Sequence, residues 1–152
     1  MKMNETCALA RYLAKKLGYH PKTPKECWDV DATFDFLYEK WGKMAFTAMQ
    51  CKTDDDSAKA YFDATEAVLD KICAKLEKQK SKWLCGNKLT VCDFQVAHMM
   101  WSYWVNDMHN CGDFYTKKCT EMCKARPTAG RYLMDLHAEI APILKTRKSA
   151  GF

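Results

Sequence analysis

The stretch Trp83-Leu84-Cys85-Gly86-Asn87-Lys88-Leu89-Thr90-Val91-Cys92-Asp93-Phe94 decides how this sequence is read. Thr90 and Asp93 stand at the head of an apolar run with the spacing of a capping box, in which a hydroxyl and a carboxylate satisfy the free N–H groups of a helix start. Leu89 before the box and Phe94 after it are placed as a hydrophobic staple. The run behind them carries Phe94, Ala97, Trp101, Val105 and Met108 on one stripe, with Val96, Met100 and Trp104 widening it. A helix so apolar belongs at the centre of a bundle, with others packed around it.

The flanking segments supply those others. Toward the N-terminus, Ser57 to Lys80 repeats Tyr61, Ala64, Val68, Ile72 and Leu76 at helical steps, preceded by Asp54-Asp55-Asp56 as an acidic turn at the positive end of the helix dipole. Before it, Thr23-Pro24-Lys25-Glu26 reads as a cap, a first-turn proline and a closing acid. That start opens a long helix with Val30, Phe34, Leu37, Trp41, Met44 and Ala48 on its stripe, in which Gly42 marks a bend or a close contact. The first helix, Glu5 to Leu17, is capped by Asn4 and stopped by Gly18. Toward the C-terminus, shorter helices are expected over Asp113 to Lys124 and Pro127 to Leu136, then a turn around Ile140 to Lys145 and a frayed tail. No strand-like alternation and no repeat of 20–50 residues interrupts this pattern. The fold class is all-α.

Composition agrees. The 152 residues are 48% hydrophobic, 28% charged and 12% aromatic, the balance of a single folded domain. Six Gly and four Pro exclude collagen-like and low-complexity classes and argue against a many-turned β-sandwich. The formal charge of +5 comes from Lys spread along the whole chain, with only four Arg, so no basic stripe for nucleic acid is expected. No apolar run approaches the roughly 20 residues of a membrane-spanning helix. Nine cysteines contain no C-x-x-C pair and the N-terminus shows no apolar leader; reduced thiols in a cytoplasmic or similarly reducing compartment are expected, and no metal site. His98 reads as a boundary histidine, and His20, His109 and His137 have no recognisable partners. Arg11 and Tyr12 read as packing and pairing residues.

The stretch Trp83 to Phe94 resembles the Gly-x-x-hydrophobic-Ser/Thr-x-x-Asp motif that opens the buried helix of the all-α C-terminal domain of glutathione transferases. Gly86, Thr90 and Asp93 fall on it, and their expected role is structural. Glu5-Thr6-Cys7-Ala8-Leu9-Ala10-Arg11-Tyr12-Leu13-Ala14 is similar to the last helix of that family's thioredoxin-like domain. The resemblance implies a remnant helix over 1–18, a linker over 19–24, a helical domain over 25–146 and a tail over 147–152.

It also implies site residues. Glu5 and Thr6 match the pair that holds the γ-glutamyl end of glutathione; the plainer alternative is a solvated helix start. Tyr38, Trp41 and Met44 lie on the helix that lines the hydrophobic-substrate pocket, with core packing as the alternative. The family's βαβ unit, its catalytic Tyr, Ser or Cys and its cis-proline loop have no counterpart in these residues. No catalytic residue and no resident cofactor are therefore expected, with glutathione the one candidate ligand. Without a sheet to cover it, the first helix presents Leu9, Tyr12 and Leu13 to a protein partner or a second copy. Two functions follow: a non-catalytic structural or interaction subunit, or a fragment or mis-started form of a transferase that conjugates glutathione to electrophiles.

Overall fold

The computed structural model describes residues 5–105 and 112–146. Asn4, Met108, His109, Cys111 and the tail 147–152 lie outside the described residues, and the expectations resting on them with them. In chain order the elements are α1 (Thr6–Leu17), α2 (Pro24–Met49), α3 (Lys59–Gln79), α4 (Val91–Met99), a π-helical turn (Met100–Trp104), α5 (Gly112–Lys124) and α6 (Pro127–Leu144). Among the described residues there is no strand, only an isolated antiparallel bridge between Trp83 and Gly86. None of the described helices is long and apolar enough to cross a membrane.

Each helix forms where capping chemistry and an apolar stripe coincide. Thr23 Oγ1 accepts from the Glu26 N–H at 3.4 Å and donates to Glu26 Oε2 at 2.5 Å, starting α2 at Pro24. Asp54 Oδ1 takes the Ser57 N–H at 2.9 Å, so the acidic triplet is a turn and cap ahead of α3. Gly18 sits in the left-handed region (φ 84°) and closes α1, a conformation that costs glycine nothing. The core is then the sum of the stripes. Val30, Phe34, Leu37, Met44 and Ala48 of α2 meet Tyr61, Ala64, Val68, Ile72 and Leu76 of α3, all buried. At about 1.5–3 kcal/mol for each large apolar side chain, this burial is what holds two long helices together.

Helix α4 and the π turn run through the middle, touching α2, α5 and α6. Their inward face differs from the expected stripe. Cys92, Val96, Ala97, Met99, Ser102 and Trp104 are buried, while Phe94 and Trp101 are half-buried and Val105 is exposed. For Trp101 and Val105 the reason is the π turn: the Val105 N–H bonds to Met100 O at 2.9 Å, one residue further back than in an α-helix. The added residue re-phases everything after Met99. Tyr61 stabilises the wide turn by donating its hydroxyl to Tyr103 O at 2.9 Å.

Three further expectations are corrected. Helix α6 runs unbroken to Leu144 through Pro142, because Leu133, Leu136 and Ile140 keep burying one face, and this outweighs the N–H that the proline lacks. Gly42 is exposed and a Cβ there would meet no atom within 4 Å, so no close contact requires it. His20 has partners: it is buried, with Nδ1 3.1 Å from Pro21 O and Nε2 3.2 Å from Asp31 Oδ1.

Candidate functional site

Helix α1 is fixed on one side and open on the other. Arg11 provides the fixed side. Its Nε donates to Asp31 Oδ1 at 2.8 Å, its Nη2 pairs with Asp35, and its guanidinium lies 5.2 Å from the Phe34 ring centre. Burial works against the charge of Arg11, but the bonds to Asp35 and Asp31 outweigh it and raise its pKa. Burial likewise pushes the Asp31 carboxyl up, and the bonds from His20 and Arg11 overcome it, holding Asp31 below the usual carboxylate range. Ala14 is buried beneath the helix, and the chain leaving it is tied to α4 by Val91 N–H to Tyr19 O at 3.1 Å and by an edge-on Tyr19–Phe94 contact.

The open side carries Leu9, Tyr12, Leu13 and Leu17, exposed by 37%, 44%, 43% and 64%. Their spacing is that of one helical stripe. Four large apolar side chains thus share a solvated face on a short helix. Glu5 and Thr6 begin this helix, both exposed, and neither side chain makes a hydrogen bond among the described residues. The neighbouring Cys7 thiol is pushed up, chiefly by burial, the opposite of what an activated nucleophile needs.

The pocket residues expected from α2 separate into two groups. Tyr38 and Trp41 are half-buried, with ring centres 5.0 Å apart, and Phe34 joins Tyr38 to the Arg11 contact. The series continues across to α4 and the π turn: Trp41 to His98 at 5.7 Å, His98 to Tyr103 at 6.0 Å. Ser102 Oγ lies 3.1 Å from His98 Nδ1. Met44 belongs elsewhere. It is wholly buried, its sulfur accepting from Thr65 Oγ1 and Trp104 Nε1, each at 3.3 Å, so it is core rather than pocket lining. Trp41 and Met44 are three residues apart, yet the π turn brings Trp104 inward onto Met44 and leaves Trp41 facing His98. Sequence reasoning passed over His98 and Tyr103 as members of this row; the only local signal was an exposed histidine beside an apolar stripe.

Gly86, Thr90 and Asp93 form a different kind of site. The Asp93 carboxylate is fully buried and accepts four donors: Leu84 N–H at 3.1 Å, Thr90 N–H at 2.8 Å, Thr90 Oγ1 at 3.0 Å and Tyr132 Oη at 2.9 Å. Gly86 adopts φ 119° and pairs with Trp83 across the bridge, where a side chain would strain the backbone. Burial raises the Asp93 pKa despite these donors. Every acceptor position of the carboxylate is spent on the protein, which makes this corner architectural.

The comparisons with known proteins agree with this geometry. The family model described as glutathione S-transferase, C-terminal domain, matches residues 34–135, about two-thirds of the chain. The solved structure of NaGST-2 is similar over 100% of this chain and 72% of its own, with a TM-score of 0.78 and 21% identity, a likeness of fold. No curated protein matches the chain. The matched residues contain the stripe of α2 from Phe34 onward, the whole of α3, the Thr90–Asp93 box and Tyr132, and on them the chain belongs to the glutathione S-transferase family as a C-terminal helical domain.

Proposed function

We propose that this chain acts as a non-catalytic, glutathione-transferase-like helical module that works by docking a protein partner onto α1. The observation that carries this reading is the exposed stripe Leu9, Tyr12, Leu13 and Leu17 on a helix whose other side is already bound to α2 and α4. Such a face in water favours association, since covering it removes apolar surface at about 25 cal/mol per Å². The raised thiol of Cys7 beside Glu5 and Thr6 supports a structural rather than a conjugating role for the helix start. The partner is either a second copy or an α/β domain of the kind to which the equivalent helix belongs in the family.

Sedimentation velocity on the purified chain tests this. At tens of micromolar the wild type is expected to associate, and Leu13→Glu to sediment as a monomer with unchanged helicity. A wild-type chain that stays monomeric and stable with α1 in solvent overturns the proposal.

A second reading, the helical part of an active transferase conjugating glutathione to electrophiles, is favoured by one feature. The row Tyr38, Trp41, His98 and Tyr103 stays partly open to solvent, as the wall of a hydrophobic-substrate pocket does. Calorimetry with millimolar glutathione separates the two. Heat of binding that is lost in Glu5→Ala supports the transferase reading; no heat leaves the docking module.

A further inference from the structure

The loop between α3 and α4 meets α2 and α3 over a cluster of polar and sulfur groups that neither reading uses. Lys75 is buried, and its ammonium donates to Asp29 Oδ1 and Oδ2 at 2.7 and 2.8 Å and to Thr33 Oγ1 at 2.9 Å. Cys85 lies beside this cluster, with its Sγ 3.8 Å from Cys92 Sγ. The two thiols differ in access. Cys92 is fully buried in the first turn of α4, its S–H donating to Val30 O at 3.2 Å. Cys85 is half-buried and lines a groove of about 760 Å³ shared with Asp29, Gln79, Ser81 and Gly86.

We propose that Cys85 and Cys92 form a reversible dithiol–disulfide site that reacts with a small hydroperoxide entering through this groove. Cys85 is the attacking sulfur and Cys92 the resolving one. In the first step the Cys85 thiolate attacks the terminal oxygen of ROOH. An S–O bond forms, the O–O bond breaks, and the departing alkoxide takes a proton from groove water to leave as ROH. Sulfur loses two electrons and the peroxide gains them, giving a sulfenic acid. In the second step Cys92 sulfur attacks that of Cys85, the S–OH bond breaks, and the Cys92 proton leaves with the hydroxyl as water. A thiol reductant restores both cysteines by exchange.

The surroundings suit these roles. Contact with Cys92 is the largest influence lowering the Cys85 pKa, burial opposes it, and the Lys75 ammonium and Thr33 hydroxyl lower it further against Asp29. Contact with Cys85, together with burial, pushes the Cys92 thiol well up, keeping it the protonated, second-acting partner. The loop is pinned on either side of Cys85. Asp93 holds the Leu84 N–H, and Gly86 is bridged to Trp83. The sulfurs therefore stay opposed, and side-chain rotation has to close 3.8 Å to the roughly 2.05 Å of a disulfide.

The test uses the full reduced chain, one equivalent of hydrogen peroxide at pH 7, an alkylating quench and peptide mass mapping. A Cys85–Cys92 disulfide is expected as the main product, reversed by dithiothreitol. Cys92→Ser should stop at a Cys85 sulfenic acid that dimedone captures, while Cys85→Ser should leave Cys92 reduced. Alkylation of Cys85 in the unoxidised chain should run severalfold faster than that of the exposed Cys51. Oxidation that falls on Cys51 or on another pair, with Cys85 and Cys92 recovered as thiols, overturns the proposal. The wild-type experiment decides by itself if a variant fails to fold, and it is independent of association through α1.

Discussion

The first turn of α4 and the helix α1 both begin with a short polar residue ahead of an apolar run, and they have opposite fates. At α4 the carboxylate of Asp93 gathers donors from the preceding loop, its own cap and α6 into one buried point. At α1 the starting residues Glu5 and Thr6 stay in solvent, and the attachment is made mid-helix by Arg11 on Asp31 and Asp35. The first arrangement spends all its polar groups on the fold. The second leaves an apolar stripe and the helix start in solvent. In this chain the corner that carries the family motif is architecture, and the sparsely held helix is where apolar surface stays in solvent.

The contrast breaks most sharply at Asp93. Replacing it with Ala strands the Leu84 and Thr90 N–H groups and the Tyr132 hydroxyl inside the protein. A loss of about 3 kcal/mol or more is expected in urea denaturation, from desolvated donors at about 1–3 kcal/mol each. A loss under about 1 kcal/mol would mean that this corner does not organise the bundle.

Arg11→Met tests the other side. It removes two partly exposed ion pairs and a guanidinium–ring contact, together on the order of 1–2 kcal/mol. Its local effect should be larger than its global one: amide exchange should speed up across α1 while α4 keeps its protection. Equal acceleration in both would show that α1 is integral to the core.

Acid should separate the two regions more gently. Asp93 has a raised pKa, so the folded state favours its protonated form. The proton-linked part of its contribution is fully present below the unfolded value near 3.8 and is lost as pH rises through the folded value, while its hydrogen bonds to Leu84, Thr90 and Tyr132 are a separate contribution. Asp31 has a lowered pKa; its contribution is present above the value near 3.8 and is lost as pH falls through the folded value. In an NMR titration downward from pH 7, the Trp83 indole near Tyr132 should respond first, above 3.8, and the Arg11 Nε signal only below it. The reverse order would contradict the electrostatic contrast.

Much of the architecture was legible because it is local. A capping box needs residues three apart, and the stripes of α2 and α3 need only steps of three and four. Thr23, Thr90 and Asp93 were therefore readable, as was the family to which they point. Expectations failed where distant parts intervene. The α4 stripe was read with a period of 3.6, and the π turn, supported by the Tyr61 hydroxyl from α3, shifted Val105 out and Ser102 in. Met44 shared a stripe with Trp41, but Thr65 and Trp104 claimed its sulfur for the core. His20 carried no sign of a partner, since it sits in the loop before α2 and Asp31 lies inside that helix.

By itself, then, the sequence determined the order of the helices, the caps that start α2 and α4, the all-α class and the family, because each depends on neighbours along the chain. Tertiary structure alone decided which carboxylates hold Arg11 and which aromatics form an open row. It also set Cys85 against Cys92 beside a buried Lys75. Those outcomes depend on which side chains from α2, α3 and α4 arrive at one place, and spacing along the chain carries no record of that.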